Sequence, residues 1–110
     1  MEIRKQQNQN AIRLAITKGK KEIARAYLYL IKNDLHKEPY GLLEDVFVEE
    51  KHRGQGLGTK IVRASIAEAK KRGCYKFICT SQSSQEVVHR FYEKLGLKKY
   101  GYEFRMDLDR

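Results

Sequence analysis

The sequence has no long apolar run. No stretch is hydrophobic enough, for long enough, to cross a membrane as a helix, so a membrane is not an expected partner. The polar start, Met1-Glu2-Ile3-Arg4-Lys5-Gln6-Gln7-Asn8-Gln9-Asn10, lacks the apolar core of a signal peptide and reads as a flexible lead-in. The expected location is therefore cytoplasmic. Proline is nearly absent, with a single residue, and no repeat or low-complexity linker interrupts the chain. Cysteine is scarce too. Were Cys74 and Cys79 on one strand, their odd spacing would point them to opposite faces, against a mutual bridge. That spacing suits no common zinc site either, so no metal is expected and both read as small buried hydrophobes.

What is present fits a soluble α/β protein: 41% hydrophobic and 34% charged residues in 110, enough for a single domain over 1–110 with one core. The formal net charge is +9. Such a surface attracts anions generally: nucleic acid, acidic protein or a polyphosphorylated cofactor. The sign alone selects none of them. The cations are spread along the chain rather than massed in one tail, and most read as solvated.

Alternation at Ile12, Leu14 and Ile16 predicts a short strand, and Lys18-Gly19-Lys20-Lys21 a turn. The aromatic and branched run from Ile23 to Ile31 predicts a longer strand, at least partly buried on both faces, forming a hairpin with the first. Residues 32–41 are loop-forming. Leu42–Val48 predicts the next strand, with Glu44, Val46 and Val48 on one face and Leu43, Asp45 and Phe47 on the other. Leu57, Ile61, Val62, Ser65, Ile66 and Ala69 recur at helical spacing, ending in Lys70-Lys71-Arg72 and a stop at Gly73. Tyr75–Thr80 predicts a strand parallel to 42–48. Ser81, Ser83 and Ser84 offer caps for a second helix, with Val87, Val88, Phe91 and Leu95 on its apolar side. Tyr100, Tyr102, Phe104, Met106 and Leu108 alternate without a break and predict a last strand. The expected order is β-β-β-α-β-α-β, in a mixed, mostly antiparallel central sheet flanked by helices.

Between strand 42–48 and its helix stands Arg53-Gly54-Gln55-Gly56-Leu57-Gly58. Glycine accepts positive φ and lets a ligand approach the backbone, and exposed N–H groups at a helix start bind anions. A plain tight turn is the bland alternative. The P-loop spacing is not met, because Gly58 precedes Thr59 and Lys60, and the third glycine comes one residue early for a dinucleotide fingerprint.

The run Asp45-Val46-Phe47-Val48-Glu49-Glu50-Lys51-His52-Arg53-Gly54-Gln55-Gly56-Leu57-Gly58 resembles the GNAT superfamily of acyl-CoA-dependent N-acetyltransferases. So does His89-Arg90-Phe91-Tyr92-Glu93-Lys94-Leu95-Gly96-Leu97, and together the two cover roughly residues 42–100. Gly73-Cys74-Tyr75-Lys76 and Phe91-Tyr92-Glu93-Lys94 look similar to glucosamine-6-phosphate acetyltransferases within that superfamily. The resemblance implies the acyl-CoA N-acyltransferase fold and acetyl-CoA as cosubstrate. It implies that the strand segment Val46, Phe47 and Val48 meets the pantetheine arm, and that Arg53, Gly54, Gln55, Gly56, Leu57, Gly58 and Thr59 hold the pyrophosphate. It implies a strand after the helix that splays from 42–48, and a Tyr92 hydroxyl aimed at the cofactor sulfur. Two departures stand out. Gln85 occupies a position, seven residues before the tyrosine, where the family often has an asparagine touching the cofactor arm. The two helices usual between the first two strands, which wall the acceptor site, have only Lys18–Lys21 to replace them.

Each residue also has a plainer reading. Lys51 is as readily a solvated loop charge as a phosphate ligand, and Thr59 as readily a helix-start residue. Tyr92 beside Phe91 would be a core aromatic without the motif. With an ordinary pKa of about 10, a tyrosine is protonated at neutral pH and able to donate to a leaving thiolate. The attacking amine must be neutral, and Glu44 and Asp45 are the nearest groups to accept its proton; as strand-end charges they equally suit salt bridges. His89 reads as a helix-surface histidine. The expected activity is acetyl transfer from acetyl-CoA to a primary amine, on a small molecule or a protein, by direct attack. The alternatives are a non-catalytic acyl-CoA-binding module and a basic nucleic-acid-binding protein, the latter disfavoured because the aromatics sit at core-facing strand positions. A possible homodimer follows from the missing wall: a second subunit would close the acceptor side.

Overall fold

A computed structural model of the chain describes residues 2–8 and 11–109. Its elements are β1 (Glu2–Asn8), β2 (Ala11–Lys18), β3 (Lys21–Ile31), β4 (Tyr40–Val48), a 3-10 turn (Glu50–His52), α1 (Leu57–Lys71), β5 (Phe77–Cys79) and α2 (Glu86–Lys94). The sheet order is β1-β2-β3-β4-β5; the first four strands are antiparallel in succession, and β5 runs parallel to β4. The mixed, mostly antiparallel sheet is therefore as expected. The chain divides into two compact units, Met1–Cys79 and Thr80–Arg110.

The first unit is organised by α1. Ile12, Leu14 and Ile16 of β2 stand opposite Leu28, Ala26 and Ala24 of β3, and Leu28 stands opposite Leu43 of β4. All are at most 2% exposed, and they meet the buried stripe Leu57, Ile61, Val62, Ser65 and Ala69 of α1. Each large aliphatic side chain buried this way contributes about 1.5–3 kcal/mol. The helix comes close because Gly41 leaves room: a methyl there would stand 3.1 Å from Leu28 Cδ1 and 3.4 Å from Ala69 Cβ. Beyond Arg72, Gly73 takes φ 76°; its N–H donates to the Lys70 carbonyl, and that of Cys74 to the Ala69 carbonyl, both at 3.0 Å. This pair of bonds is the Schellman ending that the Lys-Lys-Arg-Gly run announces.

Several expectations need correction. The lead-in is a strand: Glu2–Asn8 pairs with β2 along its whole length, while residues 9 and 10 lie outside the described residues. Its composition hid it, since Ile3 is its single large apolar residue, and a polar edge strand is built from this kind of residue. Tertiary contacts hold it. Lys5 Nζ lies 3.1 Å from Glu68 Oε1, and Arg72 donates to Gln7 Oε1 at 3.2 Å. The connection lacking helices is therefore that between β1 and β2, and Lys18–Lys21 is simply the turn of the β2–β3 hairpin. In β4 the strict alternation fails. Glu44 faces Tyr27 and Phe47 faces Arg25, leaving Asp45 and Val46 together opposite Ala26. The extra residue flips the pattern, so Leu43 and Val48 share the α1 face while Glu44 and Phe47 share the other. Cys74 lies in the turn after α1 rather than on a strand with Cys79, and the two thiols are unbridged.

The second unit holds α2 and residues 95–109. No serine caps α2: the N-cap is Gln85, without a side-chain bond. The predicted last strand is absent, because among the described residues 100–109 pair with no strand. Alternation specifies which side chains share a face but not what lies beside the backbone, and a strand forms only with a partner.

Glu68, 5% exposed, was not foreseen in the stripe of α1. Burial alone pushes its carboxyl up, but hydrogen bonds from Arg72 (2.9 Å) and Lys5, with their charges, outweigh this and hold it below the ordinary carboxylate range. A lowered folded pKa stabilises at neutral pH, and the gain is lost as pH falls from the ordinary Glu value of about 4.3 through the folded one. Glu68→Gln should cost about 1–3 kcal/mol at pH 7. Urea unfolding should show the gap to wild type closing on acidification; a gap independent of pH would count against the ion pair.

Candidate active site

The end of β4 and the start of α1 bracket the Gly-rich loop. On one side β4 pairs with β3 as far as Val48, opposite Ala24. On the other it pairs with β5 only at Gly41, Leu42 and Leu43. From Glu44 to Val48 that edge of β4 carries no strand among the described residues. The two strands thus part company just where the bulge lies. Asp45, at φ 54°, is the single described non-glycine residue with positive φ. A backbone held in this region outside glycine is costly, and such positions concentrate at working sites.

The loop is pinned from the strand side. Glu49 N–H donates to the Ile23 carbonyl at 2.8 Å, and Lys21 Nζ lies 3.1 Å from Glu49 Oε2. Arg53 Nε donates to the Val48 carbonyl at 3.0 Å, folding the guanidinium back on the strand end. Gly54 and Gly56 take φ 81° and 80°, and Gly56 is the N-cap of α1. A Cβ at either would meet nothing within 4 Å, so the backbone angle, not crowding, requires glycine in this chain. The first intrahelical bond runs from Lys60 N–H to the Gly56 carbonyl. The N–H groups of Leu57, Gly58 and Thr59 precede it, in the first turn, where a helix has no carbonyl to offer. No acidic residue stands in that turn. Orphan donors, a positive helix end and open glycine backbone together suit a bound pyrophosphate.

Beside the loop, Phe47 is 40% exposed, and the Arg25 guanidinium lies 4.7 Å over its ring. The register places both on the sheet face that also carries Tyr27 and Glu44. Sequence reasoning singled out Val46, Phe47, Val48, Arg53–Thr59, Glu44 and Asp45, and the fold brings all of these to one end of β4. It did not anticipate Lys21, Ile23 and Arg25. Their signal is pairing register, which no local pattern carries.

Tyr92 and Gln85 belong to the second unit. Tyr92 is half-buried on α2, its ring 5.3 Å from that of Phe91. The Gln85 carbonyl accepts from His89 N–H at 3.1 Å. His89 Nε2 donates to the Gln82 carbonyl at 2.8 Å, which fixes the imidazole locally as a brace of the helix start. Among the described residues, no three His, Cys, Asp or Glu side chains cluster as metal ligands.

A loop of this build after a bulged, half-paired strand defines an acyl-CoA N-acyltransferase fold, and residues 2–97 match the Acetyltransferase (GNAT) family. The chain belongs to that family. It is 38% identical over 68 residues to the glucosamine 6-phosphate N-acetyltransferase of Trypanosoma brucei brucei, covering 62% of this chain and 44% of that protein. It is 29% identical over 82 residues to N-alpha-acetyltransferase 30 of Schizosaccharomyces pombe, covering 73% of this chain and 55% of the relative. A putative acetyltransferase from Agrobacterium tumefaciens str. C58 superposes with TM-score 0.85 at 28% identity, over 92% of this chain and 71% of the other. The chain thus spans about half the length of these two curated relatives.

The bulge at Asp45 can be tested by stability. Asp45→Val, which places a β-branched side chain at positive φ, should cost about 1–2 kcal/mol. Asp45→Gly should stay within about 1 kcal/mol of wild type. Equal urea midpoints for the two variants would show that the left-handed geometry is not enforced.

Proposed function

We propose that this chain transfers an acetyl group from acetyl-CoA to a primary amine. The observation that carries the reading is the bare edge of β4 from Glu44 to Val48, running into a loop of open N–H groups at the start of α1. An extended pantetheine arm would add to that edge as a strand would, through backbone groups of Val46 and Val48. Arg53 to Thr59 would take the pyrophosphate, Phe47 would flank the arm, and Gln85 would stand for the contact usually made by asparagine. A single catalytic domain is in keeping with a family match that runs across both units.

In the reaction the neutral amine nitrogen attacks the thioester carbonyl carbon, the oxyanion collapses, and the carbon–sulfur bond breaks. A backbone N–H of the exposed β4 edge would polarise the carbonyl. Tyr92 would hydrogen-bond the departing thiolate and return a proton to it. Glu44 or Asp45, directly or through water, would receive the proton that the amine loses. Holding the two reactants together supplies most of the acceleration.

The acceptor is a small amine or a protein amine; the names of two relatives carry glucosamine 6-phosphate and an N-alpha position. Residues 9 and 10 leave no length for helices between β1 and β2, so we take a homodimer, with a second copy closing the acceptor side, as the working form. Two unbridged thiols suit a reducing compartment, and the cytoplasm is the compartment this reading assumes.

Two variants test the reading. Gly56→Glu adds bulk and like charge at the cradle, and calorimetry should show CoA affinity lost in a protein that still folds. Gly56→Ala carries the backbone strain without the charge and should lose far less; unchanged affinity in Gly56→Glu would remove the cradle from this loop. Tyr92→Phe should lower kcat by ~10²–10⁴-fold with CoA affinity little changed. Wild-type turnover in that variant would return Tyr92 to a packing role. CoA binding without turnover on a broad panel of amines would favour the non-catalytic binding module.

A further inference from the structure

At the end of the sheet away from the Gly-rich loop, the first unit holds a cavity of about 230 Å³. β4 runs from Tyr40 at the cavity to Val48 at the loop, so the two lie ~26 Å apart along the strand. Three rings gather at the cavity. His36 and Tyr75 stack with centroids 4.7 Å apart, and Tyr40 meets Tyr75 edge-on at 6.3 Å. Lys76 Nζ lies 4.7 Å from the centre of the Tyr40 ring and 5.4 Å from that of Tyr75. Lys32, Asn33 and Glu38 complete the polar lining.

The lining is formed in advance. Tyr75 N–H donates to the Pro39 carbonyl at 3.0 Å and Gly41 N–H to the Lys76 carbonyl at 2.9 Å, which ties the loop after β3 to the start of β5. Leu35 N–H donates to Asn33 Oδ1 at 2.9 Å and closes the first turn of that loop. Cation–π contact holds the Lys76 ammonium in place. Groups ordered beforehand lose less entropy when a ligand arrives. Tyr75 is nevertheless 43% exposed. Neither Lys32 nor Lys76 forms an ion pair among the described residues.

Charge, shape and size together select an occupant. The tyrosine faces already hold a cation, so an ammonium ligand would meet like charge. An anion would meet two ammonium groups against one carboxylate, Glu38. Flat rings favour a flat partner by stacking. The volume falls below the ~300–1,000 Å³ of most small-molecule sites, which leaves room for one ring and its acid group rather than a whole coenzyme. We propose that this cavity binds a small planar anion, an aromatic or heteroaromatic ring bearing a carboxylate or a phosphate. The ring would lie against His36, Tyr40 and Tyr75, and the acid group would accept hydrogen bonds from Lys32 and Lys76. None of these residues takes part in the proposed acetyl transfer, so this is a second site.

Benzoate and phenyl phosphate are the probes. In amide proton–nitrogen correlation spectra of the full chain, at least one should shift residues 31–40 and 75–76, with a dissociation constant of about 1 mM or below. Phenol, acetate and inorganic phosphate each carry one part of the chemistry and should bind at least ~10-fold more weakly. Whichever probe binds more tightly identifies the acid group as carboxylate or phosphate. Lys76→Met keeps the apolar stem without the charge and should weaken the preferred probe at least ~10-fold. Tyr75→Leu, which removes the central ring, and Lys32→Met should each weaken it as well. All three positions are exposed, so dispersed spectra should show the fold retained. No saturable binding of either probe would overturn the site, as would shifts confined to residues 53–59 or scattered over surface lysines. Ring and acid probes that bind no better than their separate parts would overturn the planar-anion assignment. Wild-type affinity in folded Lys76→Met and Lys32→Met would overturn it too.

Discussion

The seating of α1 on the sheet is the constraint from which the site follows. Ile61, Val62 and Ala69 can be buried only if the helix lies over Leu28, Leu43 and their neighbours, and Gly41 sets how closely it lies. With the helix fixed there, its first turn must begin near the end of β4. The loop between has to reverse direction within the residues from Glu49 to Gly56, and positive φ at Gly54 and Gly56 permits it. The orphan N–H groups of the helix start are thereby placed beside an unpaired strand edge. The helix start with its orphan N–H groups and the uncovered strand edge are two consequences of one packing decision.

The same packing explains the polar contacts at the other end of the helix. Glu68 falls on the buried stripe, where a lone carboxylate would be costly; Arg72 one turn on and Lys5 from β1 make it tolerable. β1 has little apolar surface with which to hold itself. It is kept at the sheet edge by its ladder to β2 and by this ion pair. A charged group in the helix core and a polar strand at the sheet edge are thus one solution, each accounting for the other.

The bulge in β4 divides the strand into a doubly paired part and a part paired on one side. From Gly41 to Leu43 the strand is paired on both sides, with Gly41 and Leu43 buried. After Asp45 the phase of the side chains is reversed, and Phe47 joins Glu44 on the face of Arg25 and Tyr27. Half of β4 serves the core, and half carries a strand edge that no strand covers among the described residues. The transition takes one residue in a strained conformation.

Most of the interior of the fold was legible in the sequence, because its signals are local. Alternation in β2, the apolar run of β3, helical spacing in α1 and the Lys-Lys-Arg-Gly stop each depend on residues a few positions apart. The Gly-rich loop was legible for the same reason: left-handed backbone and a helix start leave a composition. Four things were decided only by tertiary structure. The polar segment Glu2–Asn8 became a strand because β2 and Glu68 were there to receive it. The alternating segment 100–108 did not, because it pairs with no strand among the described residues. The side-chain phase of β4 changed at Asp45, since register against β3 is set by the whole hairpin. The early end of β5, which bares the edge of β4, is likewise a matter of partners. Periodicity fixes which face a residue belongs to. Pairing is made between distant segments, and the sequence of either one does not contain it.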